Sequence, residues 1–138
     1  MTPSDYSVGA LVSIISSDGM VEVFHSGSEI GQGINTKVAQ AVAYALGCDM
    51  SCVLVGDNCS SFVPNGGCTG GSGTSESCVG ACLDACSKIM DTLAAHKETS
   101  VDGDNSWQAL ITRATESADA PLTALGWWSE QPATESGR

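Results

Sequence analysis

Apolar positions fall on two different periods along this chain. From Ala10 to Ile15, and again from Met20 to His25, the residues are apolar and β-branched, with Ser17-Asp18-Gly19 between the runs. Asp-Gly between two such runs predicts a β-hairpin. In the second run Val21, Val23 and His25 share one side while Glu22 and Phe24 share the other, as in a strand with one protected face. The period then changes. Ile34, Val38, Val42 and Ala45, with Ala41 beside them, follow helical spacing through Leu46, and Gly47 stands where a helix would stop. Ser51–Val55 reads as a third, shorter strand. A long helix is predicted over Ser75–Ala95, with Cys78, Cys82, Ala85, Ile89 and Leu93 on one stripe and Glu76 placed favourably in its first turn. Trp107, Leu110, Ile111 and Ala114 predict a further helix over Ser106–Glu116, and Leu122–Trp128 a last strand. His96–Asn105 is polar and acidic, a surface connector.

The order strand, glycine-rich loop, helix occurs twice, through Ser26–Gly33 and through Asp57–Thr74. The expected fold class is α+β: a mixed β-sheet with a β-hairpin and two long helices packed on it. A helix start offers unpaired N–H groups and the positive end of the dipole, and glycines let an anion approach the backbone. Both loops therefore read as anion cradles; the competing reading is that they only make turns. Glu29 is expected to accept hydrogen bonds from loop amides. His25 reads as a structural residue at a strand end, near enough in sequence to touch the first loop.

Composition narrows the classes. The chain has 138 residues, with 16 acidic against 5 basic side chains for a net charge of −11, which argues against nucleic-acid and anionic-membrane partners. Aromatic residues make up only 5% while glycines number 16, so the interior relies on small residues and close backbone approach. The seven cysteines crowd between Cys48 and Cys86 without paired spacing for zinc, and Cys78, Cys82 and Cys86 read as small buried hydrophobes. No secretory signal and no membrane span is visible, so a soluble, cytoplasmic protein is expected. No catalytic side chain and no metal ligand is assigned. Gly31-Gln32-Gly33 has only part of a dinucleotide fingerprint, no Gly-Lys-Ser/Thr loop occurs, and neither His25 nor His96 adjoins a nucleophile. Trp107, Trp127 and Trp128 read as core or interface aromatics.

One segment is specific. Gly27-Ser28-Glu29-Ile30-Gly31-Gln32-Gly33-Ile34-Asn35-Thr36-Lys37 closely resembles the Gly-Thr-Glu-Met-Gly-Gln-Gly-Leu-His-Thr-Lys type segment of xanthine dehydrogenases and aldehyde oxidases. The resemblance continues through Val63-Pro64-Asn65, Thr69-Gly70-Gly71-Ser72-Gly73-Thr74-Ser75-Glu76 and the following helix, and more loosely to Trp127. The Thr-Gly-Gly-Ser form is closer to aldehyde oxidases. The resemblance implies a partial molybdopterin-binding domain over residues 1–128, followed by a tail, 129–138, that reads as truncated. It implies that Gly31, Gln32 and Gly33 hold the cofactor, with Thr69, Gly70, Gly71, Ser72, Gly73 and Thr74 as the opposite wall. Molybdenum would be held by the pterin rather than by side chains.

The implied activity is hydroxylation of an aldehyde or N-heterocycle with oxygen from water. The Gly-Glu-Pro-Pro-like segment carrying the family's active-site Glu does not occur here, nor do the iron–sulfur cysteine patterns or a flavin domain. The chain is therefore expected to be a fragment, inactive alone, whose partners are the remaining domains of a parent subunit that is a homodimer when intact. The alternatives are a non-catalytic cofactor-binding fragment and a non-functional remnant.

Overall fold

The computed structural model describes residues 7–63, 66–97, 106–117 and 120–129. Pro64 and Asn65 of the family-like run, the connector from residue 98 onward, and the tail beyond Ser129 lie outside the described residues.

Strands β1 (Ser7–Ile14) and β2 (Val21–His25) form the expected hairpin. The reversal is wider than a two-residue turn. Ile15 N–H donates to Met20 O at 2.8 Å and Gly19 N–H to Ile15 O at 2.9 Å, while Asp18 Oδ1 accepts Met20 N–H at 3.0 Å. Gly19 has φ 72°, a left-handed conformation that glycine adopts without strain. Strand β1 begins earlier than its β-branched run: Val8 and Gly9 pair with Trp128 and Trp127 of β4 (Thr123–Ser129). A Cβ on Gly9 would come to 3.2 Å from Val63 and 3.0 Å from Trp127, so the small residue lets the indole lie across the strand.

Helix α1 (Ile34–Leu46) ends where the sequence stops it, with Gly47 at φ 74° and its N–H returned to Ala43 O. It carries the chain from β2 to β3 (Val53–Val55), which pairs parallel to β2, as a crossover connection requires. Strand β3 is shorter than expected because Asp49 accepts the Ser51 N–H at 2.8 Å and caps a 3₁₀ turn over Met50–Cys52. The sheet order is β3-β2-β1-β4, mixed as predicted.

Helix α2 (Thr74–Lys97) is the long one, and α3 (Trp107–Glu116) adds a third, its start capped by Ser106 Oγ accepting from Ala109 N–H. Val8, Ala10, Val12, Val21 and Val23 meet the stripe Cys78, Ala81, Cys82, Ala85, Ile89 and Leu93 in one core. Helix α2 presses close on β4: a Cβ on Gly126 would overlap the Ala81 carbonyl. The three α2 cysteines are free and buried, as their spacing predicted. Burial pushes the Cys86 thiol up to about 12 and the Cys82 thiol higher still. Trp107 is half-buried and donates Nε1–H to Gly19 O at 2.8 Å, tying α3 to the hairpin turn. No described helix is long and apolar enough to cross a membrane.

Candidate functional site

Both glycine-rich loops leave the same end of the sheet and meet over the starts of α1 and α2. The meeting begins at His25, which is 1% exposed. Its Nδ1 lies 3.2 Å from the Gly27 N–H and its Nε2 lies 2.9 Å from Asn35 Oδ1 on α1. Gly27 passes between the two helices, where a Cβ would come within 2.8 Å of both Cys78 Sγ and Ile34 Cδ1 and 2.9 Å of Thr74 Cγ2. Only glycine fits there. The Gly27 carbonyl accepts from the Asn58 side chain, and Ser28 N–H donates to Thr69 Oγ1 at 2.8 Å, so the loops are joined to each other.

Glu29 uses its carboxylate as expected. Oε1 accepts the N–H groups of Gly31 and Gly33, each at 3.0 Å, and Oε2 accepts the Asn35 N–H at 3.2 Å. The Asn35 amide is the largest influence holding the Glu29 carboxyl below its ordinary range, with Gly33 and Gly31 adding to it. The positive end of α1 is thus already met by a carboxylate. In the first loop, the amide hydrogens of Gly31 and Gly33 serve the loop itself. Gln32 also folds inward, its Oε1 accepting Ile30 N–H at 2.7 Å and its Nε2 donating to Ser28 O at 2.8 Å.

The second loop is open in a way the first is not. Gly71 (φ 65°) and Ser72 (φ 61°) are both left-handed, and a Cβ on Gly70, Gly71 or Gly73 would meet nothing within 4 Å. Thr74 Oγ1 lies 3.2 Å from Gly70 N and 3.3 Å from Gly70 O, closing the loop onto the first turn of α2. Ser77 Oγ donates to Gly73 O at 3.0 Å. Among the described residues, nothing accepts the N–H of Gly71 or Ser72.

Between the loops lies a pocket of about 390 Å³, lined by Ile30, Gln32, Lys37, Thr69, Gly70, Gly71, Ser72, Thr74 and Ser75. That volume is in the range of small-molecule sites. Of the expected site residues, Gln32, Thr69, Gly70, Gly71, Ser72 and Thr74 come together on this wall, whereas Gly31, Gly33 and Gly73 do not line it. Sequence reasoning left out Ile30, Lys37 and Ser75. Lys37 and Ser75 sit in the first turns of the two helices, and Lys37 Nζ donates to Ser75 Oγ at 3.1 Å. The signal for them was helical geometry: a side chain in a helix's first turn covers the loop that feeds it.

The lining suits an anionic, ring-shaped ligand. One ammonium, several hydroxyls and the amide end of α2 are available to a negative group, and bare glycine backbone leaves space for a flat ring. Among the described residues no three His, Cys, Asp or Glu side chains gather to hold a metal ion.

Comparison with known proteins bears on this pocket. A family model described as molybdopterin cofactor-binding domain matches residues 2–138. A xanthine dehydrogenase of Drosophila pseudoobscura pseudoobscura is 40% identical over 106 residues, covering 77% of this chain and 8% of that protein. Probable aldehyde oxidase 2 of Oryza sativa subsp. japonica is 36% identical over 128 residues, covering 86% of this chain and 9% of its own length. The chain thus spans under a tenth of these relatives. Among solved structures, quinoline 2-oxidoreductase from Pseudomonas putida 86 superimposes with a TM-score of 0.73 at 18% identity, over 91% of this chain and 19% of that one. The Cu,Mo-CO dehydrogenase in its carbon monoxide reduced state gives a TM-score of 0.73 at 20% identity, over 88% of this chain and 18% of that one. These two likenesses show the fold.

Proposed function

Because the chain belongs to the molybdopterin cofactor-binding domain family, we propose that the pocket between its two glycine-rich loops is where that cofactor sits. The observation that carries this reading is the pocket itself, in which Lys37, Gln32, residues 69–72, Thr74 and Ser75 face one space. Lys37, Thr69, Ser72 and Ser75 bind the negative and polar groups of the pterin. Gly70 and Gly71 let its ring approach the backbone, Thr74 fixes the loop, and Gly31 and Gly33 shape the facing wall through Glu29. When bound, the cofactor supplies a molybdenum centre for two-electron oxidation; the chain's own residues bind and orient it.

The relatives are xanthine dehydrogenases and aldehyde oxidases. On that footing the chain works within a larger cytoplasmic, homodimeric oxidoreductase that hydroxylates aldehydes or N-heterocycles with water-derived oxygen. Iron–sulfur clusters and FAD belong to other parts of that polypeptide. No Gly-Glu-Pro-Pro-like segment is present in these 138 residues, so the chain alone binds without catalysing. Expression together with the remaining domains tests the reading. The folded assembly is expected to contain molybdenum and to release a fluorescent pterin on oxidation; a folded assembly with neither would overturn it.

A further inference from the structure

His25 is the buried titratable group at the root of the first loop, and its two contacts fix its protonation state. A backbone N–H is always a donor, so the Gly27 N–H, 3.2 Å from Nδ1, requires a lone pair there. The ring proton then sits on Nε2 and is donated to Asn35 Oδ1 at 2.9 Å. One neutral imidazole thus joins the end of β2, the entry to the first loop and the first turn of α1.

We propose that His25 is a positioning residue, a latch that holds the Gly27–Gly33 loop against α1 while neutral and releases it when a second proton arrives. With Nδ1 protonated, two N–H donors would face each other at Gly27, and that contact is lost. The surroundings set where this happens. Burial disfavours the imidazolium, while Asn35 and the Glu29 carboxylate favour it; burial is the larger influence, and the pKa is lowered from 6.5. From α2, Cys78 and Thr74 pack beside Gly27, the thiol kept protonated by its own burial. From β1, the register partner Ala10 has nothing to titrate. The latch is closed at neutral pH and, its pKa being lowered by burial, opens only on acidification.

The latch rests on the cofactor reading only for what the loop would hold. Its test uses the chain without cofactor, so the two can fail separately. Nuclear magnetic resonance of the ¹⁵N-labelled chain, titrated between pH 7.5 and 5, reads the His25 ring nitrogens and the amide-exchange protection factors together. The expected result is an Nε2–H tautomer at neutral pH and a midpoint below 6.5. Protection at Gly27, Gly31 and Gly33 should fall about tenfold or more with that midpoint, while β1 and α2 amides keep theirs. His25→Asn places an acceptor near the Nδ1 position that cannot titrate, and its loop protection should be flat with pH. If that variant does not fold, the wild-type titration decides alone. An Nδ1–H tautomer, unchanged loop protection through the titration, or a loss spread evenly over β1 and α2 would each overturn the proposal.

Discussion

Lys37 Nζ donates a hydrogen bond to Ser75 Oγ at 3.1 Å, so the first turns of α1 and α2 are tied by a contact on the pocket wall. Among the described residues no other basic side chain lines the pocket, in a chain of net charge −11. An anion entering between the loops would exchange a neutral hydroxyl for itself as the partner of this ammonium.

Lys37→Gln keeps a donor of similar reach and removes the charge. A hydrogen bond to a charged group contributes about 1.5–3 kcal/mol, so affinity for a phosphate-bearing pterin should fall roughly ten- to a hundredfold. Isothermal titration at two salt concentrations checks this, with the wild type losing more affinity than the variant as salt rises.

Gly70→Val separates binding from folding. A Cβ at this position meets nothing within 4 Å and no positive φ opposes it, so the unfolding free energy in urea should move by no more than about 0.5 kcal/mol. It projects into the space assigned to the ring, and pterin binding should be lost. Gly126→Ala does the reverse. Its methyl would overlap the Ala81 carbonyl where α2 crosses β4, and stability should drop by about 1–3 kcal/mol or more in the same urea titration.

Much of this arrangement is legible in the sequence, and the parts that are not share a cause. Helix α1 has its limits written in Ile34 and Gly47, and the α2 stripe in cysteines and alanines, because helical periodicity is a local property. Glu29 could be assigned to the loop amides since the partners lie within six residues. The start of β1 was not legible, because Val8 and Gly9 owe their strand conformation to the tryptophans of β4, more than a hundred residues away. The contact between Lys37 and Ser75 escaped for the same reason, its partners being 38 residues apart and neighbours only after both helices dock.

Glu29→Gln should lower the melting temperature at pH 7, since the amide oxygen is a weaker cap for Gly31, Gly33 and Asn35. The sign with pH follows from the direction of the shift. The folded carboxyl titrates below its ordinary 4.5, so its stabilisation is complete above that value and fades as pH falls through the folded one. Thermal melts of both proteins should converge in strong acid.

Asp84 and Lys88 guard the outer edge of β4. Asp84 Oδ2 accepts the Trp127 N–H at 3.0 Å and Lys88 Nζ donates to Leu125 O at 2.9 Å, while the two side chains pair at 2.7 Å. These are the strand groups that would otherwise invite another strand. The double variant Asp84→Ala/Lys88→Ala should lose only about 1 kcal/mol, the pair being solvent-exposed. Light scattering should nevertheless show concentration-dependent association absent from the wild type.

The pocket assignment is tested most directly by chemical-shift mapping of the ¹⁵N-labelled chain with a pterin bearing a phosphate monoester. Saturable shifts are predicted at Gln32, Lys37 and Gly70–Ser75, absent in Gly70→Val, with α3 and β4 unmoved. A folded chain showing no saturable shifts there, or shifts that persist unchanged in Gly70→Val, would contradict the account.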